Sequence, residues 1–398
     1  MSISSFSVSL PSNASAAADV PKGFDFARRR GDLVNRLREA PEGAEVALVG
    51  DPRDIAYLTG VSEGISWLAV SEDGCFALTR HMLIREIGRV IGDCELLLPS
   101  QRSSDPAKIE LFLTSELKRR SFKRVALDLG KVSAASYLDL RSNATAADLE
   151  LIAAPCLVDV LRQCKDPAER KLIARCISIA EEAFRGLIER GAGGLIGRSE
   201  LELARELESR VVALGADRQG FPDTGIIVAS GPNSASAHHC PGNRVVAAGE
   251  TLLIDWGAEL NGYRSDMTRT LFMGGLPDFA RKAYPVVAEA LAAAKDALAV
   301  GATMGEVDRA ARETVMAAGY PEFHYGVGHG VGLAIHEGPW LRAHSVEVLE
   351  AGMITTTEPG VYLPEVGGIR IESMFALTDR GTEQMDRLSV ALDEKVPV

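Results

Sequence analysis

The chain has 398 residues, of which 46% are hydrophobic and 25% are charged, and these values are ordinary for a folded globular protein. A formal net charge of −12 would repel a phosphate backbone, so we expect no nucleic-acid partner. No apolar run approaches the roughly 20 residues that cross a bilayer, so we expect no membrane partner. The length predicts two domains rather than one.

The N-terminal residues and the cysteines bear on where the protein works. Residues 1–22 are rich in serine and alanine but lack the basic and apolar segments of a secretory signal, which predicts a flexible N-terminal arm and a cytoplasmic protein. Six cysteines are dispersed without a Cys-x-x-Cys pair, which favours reduced thiols. Cys240 directly follows His238 and His239, so a Cys/His nucleophile is an alternative, although no nearby residue completes such a site.

Short apolar runs alternate with helical stretches from about residue 25 to residue 155. This alternation predicts an α/β N-terminal domain over residues 23–164. The charged stretch 160–171 contains Pro167, and proline suits the first turn of a helix, so a second domain is predicted over residues 165–398. The runs that we interpret as strands are EVALVG from 45, WLAVS from 67, CFALT from 75, ELLLP from 95 and RVALDLG from 124.

The second domain begins with two predicted helices. The first starts at Pro167 and ends near Gly191, and the second has the capping-box spacing of Ser199 and Glu202. An alanine-rich helix and a second capping box at 303–306 repeat this order before further strand-like segments. We therefore predict an α+β domain with an internal pseudo-twofold repeat, whose halves face each other across a cleft.

Two aspartates interrupt apolar strand-like sequence between residues 251 and 273. Asp255 ends the run TLLID, and Asp266 precedes the run MTRTLF. A carboxylate set in an apolar strand is costly unless it meets a cation or hydrogen-bond donors, and a metal ion is the strongest such partner. A pair of turn-capping aspartates is the alternative interpretation of these two residues alone.

The glycine-rich segment YGVGHGVGLAIHEGP, residues 325–339, contains His329 and His336. Glycine lets a backbone approach a ligand or a metal closely. The segment lacks the spacing of a phosphate-binding loop, and no second histidine completes a helical HExxH zinc motif. Taken alone, His329 is better explained as a structural histidine.

Two glutamates complete a candidate ligand set. Glu358 ends the strand-like segment MITTTE, and Glu372 lies in GGIRIESMFAL, which we interpret as one strand with Arg370 and Glu372 on the same face. Together with Asp255, Asp266 and His329, these glutamates offer oxygen and nitrogen donors without a thiolate. Such a set suits a pair of divalent ions such as Mn²⁺, Co²⁺, Fe²⁺ or Zn²⁺.

In their order along the chain, these segments resemble the pita-bread metallopeptidase family, which includes prolidase, Xaa-Pro aminopeptidase, methionine aminopeptidase and the metal-free creatinase. The resemblance rests on the two aspartates, GHGVGL, TEPG and RIE, on SGPNSASAHH from 230, and on DPRDIAYLTG from 51, which is similar to the creatinase-type N-terminal domain. It implies a pita-bread fold for the second domain, a small peptide or peptide-like substrate and a homodimer.

The resemblance also implies a role for each residue. Asp255 would bind one metal ion, Asp266 and Glu372 would bridge two ions, and His329 and Glu358 would complete the second, with Mn²⁺ the first choice of metal. A hydroxide between the ions would attack the scissile carbonyl, and Glu358 would also relay the proton. The remaining catalytic candidates are His238 and His336, which would hold the substrate, and Arg370, which would lie near its carboxylate end.

Two departures from the family pattern affect the expected substrate. Tyr325 stands where many prolidases have a histidine, four residues before His329, and Ser373 stands where the family often has an aspartate. We expect an Xaa-Pro dipeptidase or aminopeptidase. One alternative keeps the fold and the metals but acts on a small non-peptide substrate, as an ectoine hydrolase, an amidinohydrolase or a lyase does. The other is a non-catalytic peptide-binding module, which would have lost the ligands.

Overall fold

A computed structural model describes residues 23–39, 43–99 and 106–391. The arm expected over residues 1–22 lies outside these ranges. Packing divides the chain into two compact units, of which the first ends at Arg162 and the second begins at Gln163. None of the helices in the described ranges combines the length and the apolar composition that a membrane span requires.

The first unit is built on a mixed six-stranded sheet of order β4-β3-β2-β1-β5-β6. Each of the five apolar runs interpreted as strands forms one, because their alternate side chains fill the core on the sheet. The sixth strand is a short, partly exposed edge whose burial pattern gives no clear period. The strands are β1 (Val46–Val49), β2 (Ile65–Ser71), β3 (Gly74–Thr79), β4 (Glu95–Leu97), β5 (Arg124–Leu127) and β6 (Glu150–Ala153).

Helices flank the strands of this unit along the chain. Helix α1 buries Leu33, Val34 and Leu37 along one face, as expected for a helix packed on one side. The helices are α1 (Phe26–Glu39), α2 (Pro52–Thr59), α3 (Ile84–Val90), α4 (Pro106–Arg119), α5 (Ala134–Ala147) and α6 (Asp159–Gln163).

The second unit opens with two helices and repeats this arrangement after residue 277. Capping boxes form at both predicted places, since Ser199 accepts a hydrogen bond from the Glu202 amide and Thr303 accepts one from the Glu306 amide. A third box, on Asp166 and Glu169, starts the first helix. The helices are α7 (Pro167–Ile188), α8 (Glu200–Ala213), α9 (Asp278–Ala297) and α10 (Met304–Ala317).

The strands of the second unit form two main sheets, of orders β12-β9-β8 and β14-β13-β15-β18-β19. Smaller sheets join β11-β10-β7 and β16-β17. The strands are β7 (Arg218–Gln219), β8 (Ile227–Ser230), β9 (Thr251–Trp256), β10 (Ala258–Leu260), β11 (Tyr263–Arg264), β12 (Met267–Phe272), β13 (Gly328–Gly330), β14 (Glu337–Leu341), β15 (Ile354–Thr357), β16 (Gly360–Leu363), β17 (Gly367–Arg370), β18 (Ser373–Thr378) and β19 (Gly381–Gln384).

The two halves of this unit have the same order of elements. In each half a helix pair precedes a main sheet, and the cap of the second helix forms an isolated bridge to a later segment. Ser199 bridges to Val245 in the first half, and Thr303 bridges to Val348 in the second. This recurrence of helices, caps and bridges is the internal repeat that the two capping-box signals predict.

The segment around Glu372 differs from the single strand that the sequence predicts. β17 ends at Arg370 and β18 begins at Ser373. Strand β17 pairs with β16, whereas β18 pairs with β15, so the chain changes partner at this point. At the break the Glu372 amide donates to the carbonyl of Thr268. The break therefore places Glu372 beside β12, in the other half of the unit.

Candidate metal centre

The first half of the unit supplies two aspartates from neighbouring strands. Asp255 lies in β9, and Asp266 directly precedes β12, which pairs with β9 in antiparallel register. Both side chains are buried among apolar strand residues. Thr268, the partner of Asp255 in the register, donates its hydroxyl to Glu372 at 2.8 Å and thereby connects the first half to the second.

The second half supplies His329 and Glu358. His329 is the central residue of β13, and Glu358 follows β15 directly, with its amide donating to Val327 at 2.7 Å. The glycines beside His329 permit very close strand packing. A Cβ atom at Gly328 would lie 2.1 Å from the Thr356 carbonyl oxygen, so no other residue fits there without displacing β15.

The structure places the five residues of the candidate ligand set around one pocket of about 330 Å³. His329 Nε2 lies 3.6 Å from an Asp266 oxygen and 3.5 Å from a Glu358 oxygen. Donor atoms lie within 4.8 Å of one another in three groups, which are Asp255 with Asp266 and Glu372, His329 with Glu358 and Glu372, and Asp266 with His329 and His336.

Several donor atoms of this set are buried without a partner among the described residues, and a bound divalent cation would supply one. One oxygen each of Asp255, Asp266 and Glu372 is buried and has no hydrogen-bond partner in the described part of the chain. Burial raises the pKa of Glu358 to about 8, and burial together with the neighbouring carboxylates raises the pKa values of Asp266 and Glu372 well above normal. Clustered buried carboxylates of this kind need cations to be stable in the ionised form.

His329 is prepared as a neutral ligand. Burial, followed by the nearby His336, lowers the pKa of His329 to about 3, so the imidazole carries no charge at neutral pH. Its Nδ1 lies 3.1 Å from the Gly330 carbonyl oxygen, and a hydrogen bond there requires the proton on Nδ1. The lone pair of Nε2 is then available on the side of Asp266 and Glu358.

Arg370 is held by protein groups, which differs from the expectation that it faces the substrate. Its guanidinium donates to Thr268 at 3.0 Å, to the Ala237 carbonyl at 3.1 Å, to the Tyr362 hydroxyl at 2.9 Å and to Asp255 at 2.6 Å. These bonds use four of the five N–H groups of an arginine. Arg370 therefore fixes Asp255 and has little left for a ligand.

The remaining histidines lie at the mouth of the pocket. His238 and His336 both line it and are exposed to solvent. The pocket wall nevertheless partly desolvates the His336 ring, and this desolvation, opposed by Asp255 and reinforced by His238, lowers the pKa of His336. His239 instead turns to the buried Glu200, 2.8 Å away. Because His239 contacts Glu200, it is not placed to activate the Cys240 thiol in the Cys/His alternative.

Tyr325, the departure from the family pattern, belongs to the pocket wall. Its hydroxyl donates to the Glu358 carbonyl at 3.1 Å and lies 2.7 Å from the Tyr362 hydroxyl. Burial, together with the charges of Tyr362 and Glu358, raises the pKa of Tyr325 well above normal, so the phenol remains neutral. Tyr362 in turn accepts from Arg370, and a chain of hydrogen bonds links Tyr325 to Asp255.

At Ser373, the second departure, another residue supplies a carboxylate. Asp386 accepts from the Ser373 hydroxyl at 3.3 Å and forms a fully buried ion pair with Arg269 at 2.7 Å. Arg269 also donates to the backbone carbonyl of Glu372 at 2.5 Å. The backbone on either side of Glu372 is therefore held by a charged network, without an aspartate at 373.

Sequence reasoning missed several residues that support the site, namely Thr268, Tyr362, Asp386 and Glu200. Glu200 accepts hydrogen bonds from Ser230, Asn233 and Gly242 as well as contacting His239. These bonds fasten the loop that carries His238. The only signal in the sequence is the position of Glu200 directly after a helix cap, and that position is common for exposed acids.

Comparisons with known proteins agree with this geometry. The model of metallopeptidase family M24 matches residues 171–379, which is just over half of the chain, and the creatinase/prolidase N-terminal domain model matches residues 29–164. An uncharacterized peptidase of Bacillus subtilis, YqhT, is 31% identical over 344 residues, covering 85% of this chain and 92% of that protein.

Named relatives point to the same family. An Xaa-Pro dipeptidase of Pyrococcus furiosus is 37% identical over 57% of this chain, and the match spans 64% of that relative, which is less than two thirds. The solved structure of an Xaa-Pro dipeptidase from Bacillus anthracis has a TM-score of 0.82 and 29% identity, with 90% of this chain and 98% of that chain covered. The expected two-domain, pita-bread architecture is confirmed. The chain belongs to metallopeptidase family M24 and carries the creatinase/prolidase N-terminal domain before its catalytic domain.

Proposed function

We propose that the protein is a metal-dependent exopeptidase that cleaves the bond before proline in short peptides. One observation carries the proposal, namely the convergence of four carboxylates and one imidazole on a single pocket, where three buried carboxylate oxygens lack partners among the described residues. The specificity for proline is supported by relatives in Pyrococcus furiosus and Bacillus anthracis that are named Xaa-Pro dipeptidases.

In this proposal two divalent cations, Mn²⁺ before Co²⁺, Fe²⁺ or Zn²⁺, are held by the five side chains. Asp255 would hold one cation, Asp266 and Glu372 would contribute to both, and His329 and Glu358 would hold the other. When bound, the cations lower the pKa of water and polarise the scissile carbonyl group.

The other residues of the site bind the substrate, transfer protons or position the ligands. Glu358 would also relay a proton during the reaction, a role that the family resemblance implies for this carboxylate. His238 and His336, exposed at the mouth of the pocket, bind the substrate backbone by donating hydrogen bonds to its oxygens. Arg370 positions Asp255 through the 2.6 Å ion pair and does not bind the substrate.

Three further features of the protein belong to the proposal. We infer domains over residues 23–164 and 165–398, a cytoplasmic location and a homodimer. The six cysteines are all free thiols, which suits a reducing compartment. The homodimer rests on the family resemblance alone. Size-exclusion chromatography with light scattering would measure the molar mass in solution directly.

The experiment is hydrolysis of a peptide panel by protein loaded with Mn²⁺ or Co²⁺. We expect turnover of Xaa-Pro dipeptides or of longer Xaa-Pro peptides, and little turnover of matched Xaa-Ala peptides. Metal analysis of the purified protein is run in parallel. Cleavage of no Xaa-Pro member by a protein that does hold metal would reject the specificity, and a protein that binds no divalent metal would reject the whole proposal.

A further inference from the structure

Two free cysteines lie side by side at one edge of the sheet in the first unit. Strands β3 and β4 run parallel with Phe76 paired to Glu95, so Cys75 in β3 and Cys94 directly before β4 stand one step ahead of this pair. Neighbouring strands lie about 4.8 Å apart, and a disulfide joins Cα atoms about 4.4–6.8 Å apart. Cys75 Sγ lies 4.0 Å from the carbonyl oxygen of Asp93, the residue before Cys94. The two thiols are therefore close enough to be bridged.

The two thiols contact each other and differ in acidity. A hydrogen bond from the Cys94 thiol lowers the pKa of Cys75, burial opposes this effect, and the Arg30 guanidinium lowers the pKa further. The same hydrogen bond, together with burial and the charge of Cys75, raises the pKa of Cys94. Cys75 is therefore the thiol that ionises first, and a thiolate is the nucleophile in disulfide exchange.

A pocket of about 360 Å³ gives small molecules access to Cys75. Cys75 is half-buried and lines this pocket, whereas Cys94 is buried behind it. The charged side chains of the wall are already paired with each other, in the ion pairs Arg30–Asp93 and Arg38–Glu72. A pocket of this size holds a small molecule and excludes a folded protein. A small disulfide can therefore reach Cys75 without reaching Cys94.

We propose that Cys75 and Cys94 form a reversible dithiol–disulfide pair that is oxidised by low-molecular-weight disulfides entering through this pocket. The Cys75 thiolate attacks one sulfur of the small disulfide, which forms a mixed disulfide and releases one small thiol. Cys75 then carries no charge, so Cys94 loses its proton more readily. The Cys94 thiolate attacks the Cys75 sulfur and expels the second small thiol. Two electrons pass from the protein to the small disulfide, and the two protein thiol protons end on the two small thiols.

The bridge would act as a staple on the edge of the sheet. It would close the segment between residues 75 and 94, which contains α3, and would tie the edge strand β4 to β3. A closed loop restricts the unfolded chain, so the oxidised protein should melt at a higher temperature. Small thiols reverse the exchange, so the state of the pair follows the balance of small thiol and small disulfide. This inference does not depend on the proposed peptidase function.

The test exposes the reduced full-length protein to oxidised glutathione, stops the exchange with acid and maps the cysteine peptides by mass spectrometry. In the wild type we expect a linked pair of peptides that contains Cys75 and Cys94, with little glutathione left on Cys75. In Cys94→Ser the glutathione should remain on Cys75, because no thiol displaces it. Cys156 is an exposed thiol whose pKa is raised by burial and by nearby acids, and Cys75 should react at least about tenfold faster than this internal reference.

Thermal unfolding provides a second readout. The oxidised wild type should melt several degrees above the reduced protein, and dithiothreitol should abolish the difference. Cys156→Ser is the matched control and should reproduce both results. A lasting glutathione adduct on Cys75 of the wild type, or reaction of Cys75 no faster than that of Cys156, would overturn the proposal. The wild-type peptide map decides this without any variant, so the result holds even where Cys94→Ser folds poorly.

Discussion

At the scale of single residues, Glu372 shows how a buried carboxylate is prepared for a cation. One of its oxygens accepts the Thr268 hydroxyl at 2.8 Å, while the other is buried without a donor among the described residues. The bonded oxygen fixes the orientation of the group, and the free oxygen keeps its full affinity for a cation. Thr268 and the carboxylate therefore act together, although 104 residues separate them.

Replacing Glu372 with glutamine tests this preparation. The variant keeps the shape of the side chain but loses the charge, so we expect dialysed protein to retain less metal and kcat/KM to fall by more than about 100-fold, beyond a typical supporting mutation. Metal content and peptide hydrolysis are the measurements. Glu313→Gln, on the exposed face of α10, is the matched control. Wild-type metal content in the Glu372 variant would contradict its place in the ligand set.

Tyr325 supports the site through its hydroxyl. Tyr325→Phe removes the bond to the Glu358 carbonyl and the contact with Tyr362, so a buried polar group loses its partner. We expect a loss of about 1–3 kcal/mol in the free energy of unfolding and a lower kcat with metal content unchanged. Denaturant unfolding and kinetics measure this. Tyr320→Phe is the control, and equal stability losses in both variants would reject the role of the hydrogen bonds.

The four acidic candidate ligands were predictable from the sequence because each interrupts or ends an apolar run, where the cost of a buried carboxylate demands a partner. The residues that hold those ligands in place were not predictable. Thr268 and Tyr362 look like ordinary strand residues, and the bonds from Arg370 to Asp255, Thr268 and Tyr362 have no signal in the sequence. Their partners come from segments that only the folded chain brings together, so no local pattern marks them.

At the scale of elements, strand β13, which carries His329, packs unusually close to its neighbouring strands β14 and β15. A Cβ atom at Gly330 would lie 2.0 Å from the Gly338 carbonyl oxygen, on the segment that pairs with it. Only glycine allows this approach. The glycine-rich sequence around His329 therefore serves strand packing that presents the histidine, and it does not form a phosphate-binding loop.

Gly330→Ala would force these strands apart. We expect a loss of about 1–3 kcal/mol or more in the free energy of unfolding, because the added methyl group meets backbone atoms that cannot rotate away. The displaced His329 should also weaken metal binding. Thermal unfolding and metal titration measure both effects. Gly193→Ala serves as the control, since nothing lies within 4 Å of a Cβ atom there, and similar behaviour of the two variants would refute the packing argument.

The predictions of helices and strands succeeded where a local sequence signal exists. They failed where the pairing between strands determines the structure. Both capping boxes follow from four-residue patterns, and both form. The break between β17 and β18 has no such pattern, because an apolar run with alternating polar residues looks like one strand. The change of pairing partner at Glu372 depends on β12, β15 and β16 together, which periodicity cannot reveal.

At the scale of the whole molecule, the ligand set ties the two halves of the second unit together. Asp255 and Asp266 come from the first half, and His329, Glu358 and Glu372 come from the second. Bound cations would therefore crosslink segments more than 100 residues apart, and they would stabilise the folded chain by binding it in preference to the unfolded one. Stability and metal loading should change together.

The pH dependence of this coupling has a definite sign. The pKa of Glu358 is raised by burial to about 8 from an ordinary 4.5, so between these values the folded protein keeps a proton that the unfolded chain has lost. Without cations, this group makes stability fall as pH rises through that window. The raised pKa values of Asp266 and Glu372 act in the same direction.

Cations replace those protons, so the stabilisation that they provide should grow as the pH rises. We expect the increase in melting temperature on adding saturating Mn²⁺ to EDTA-treated protein to be several degrees larger at about pH 8 than at about pH 6. Scanning calorimetry at both values measures the difference. In Glu358→Gln the titrating carboxyl is absent, and the dependence on pH should weaken. A metal-induced shift that is the same at both pH values, or larger at the lower one, would show that these carboxyl groups do not exchange protons for cations when the protein takes up its metal.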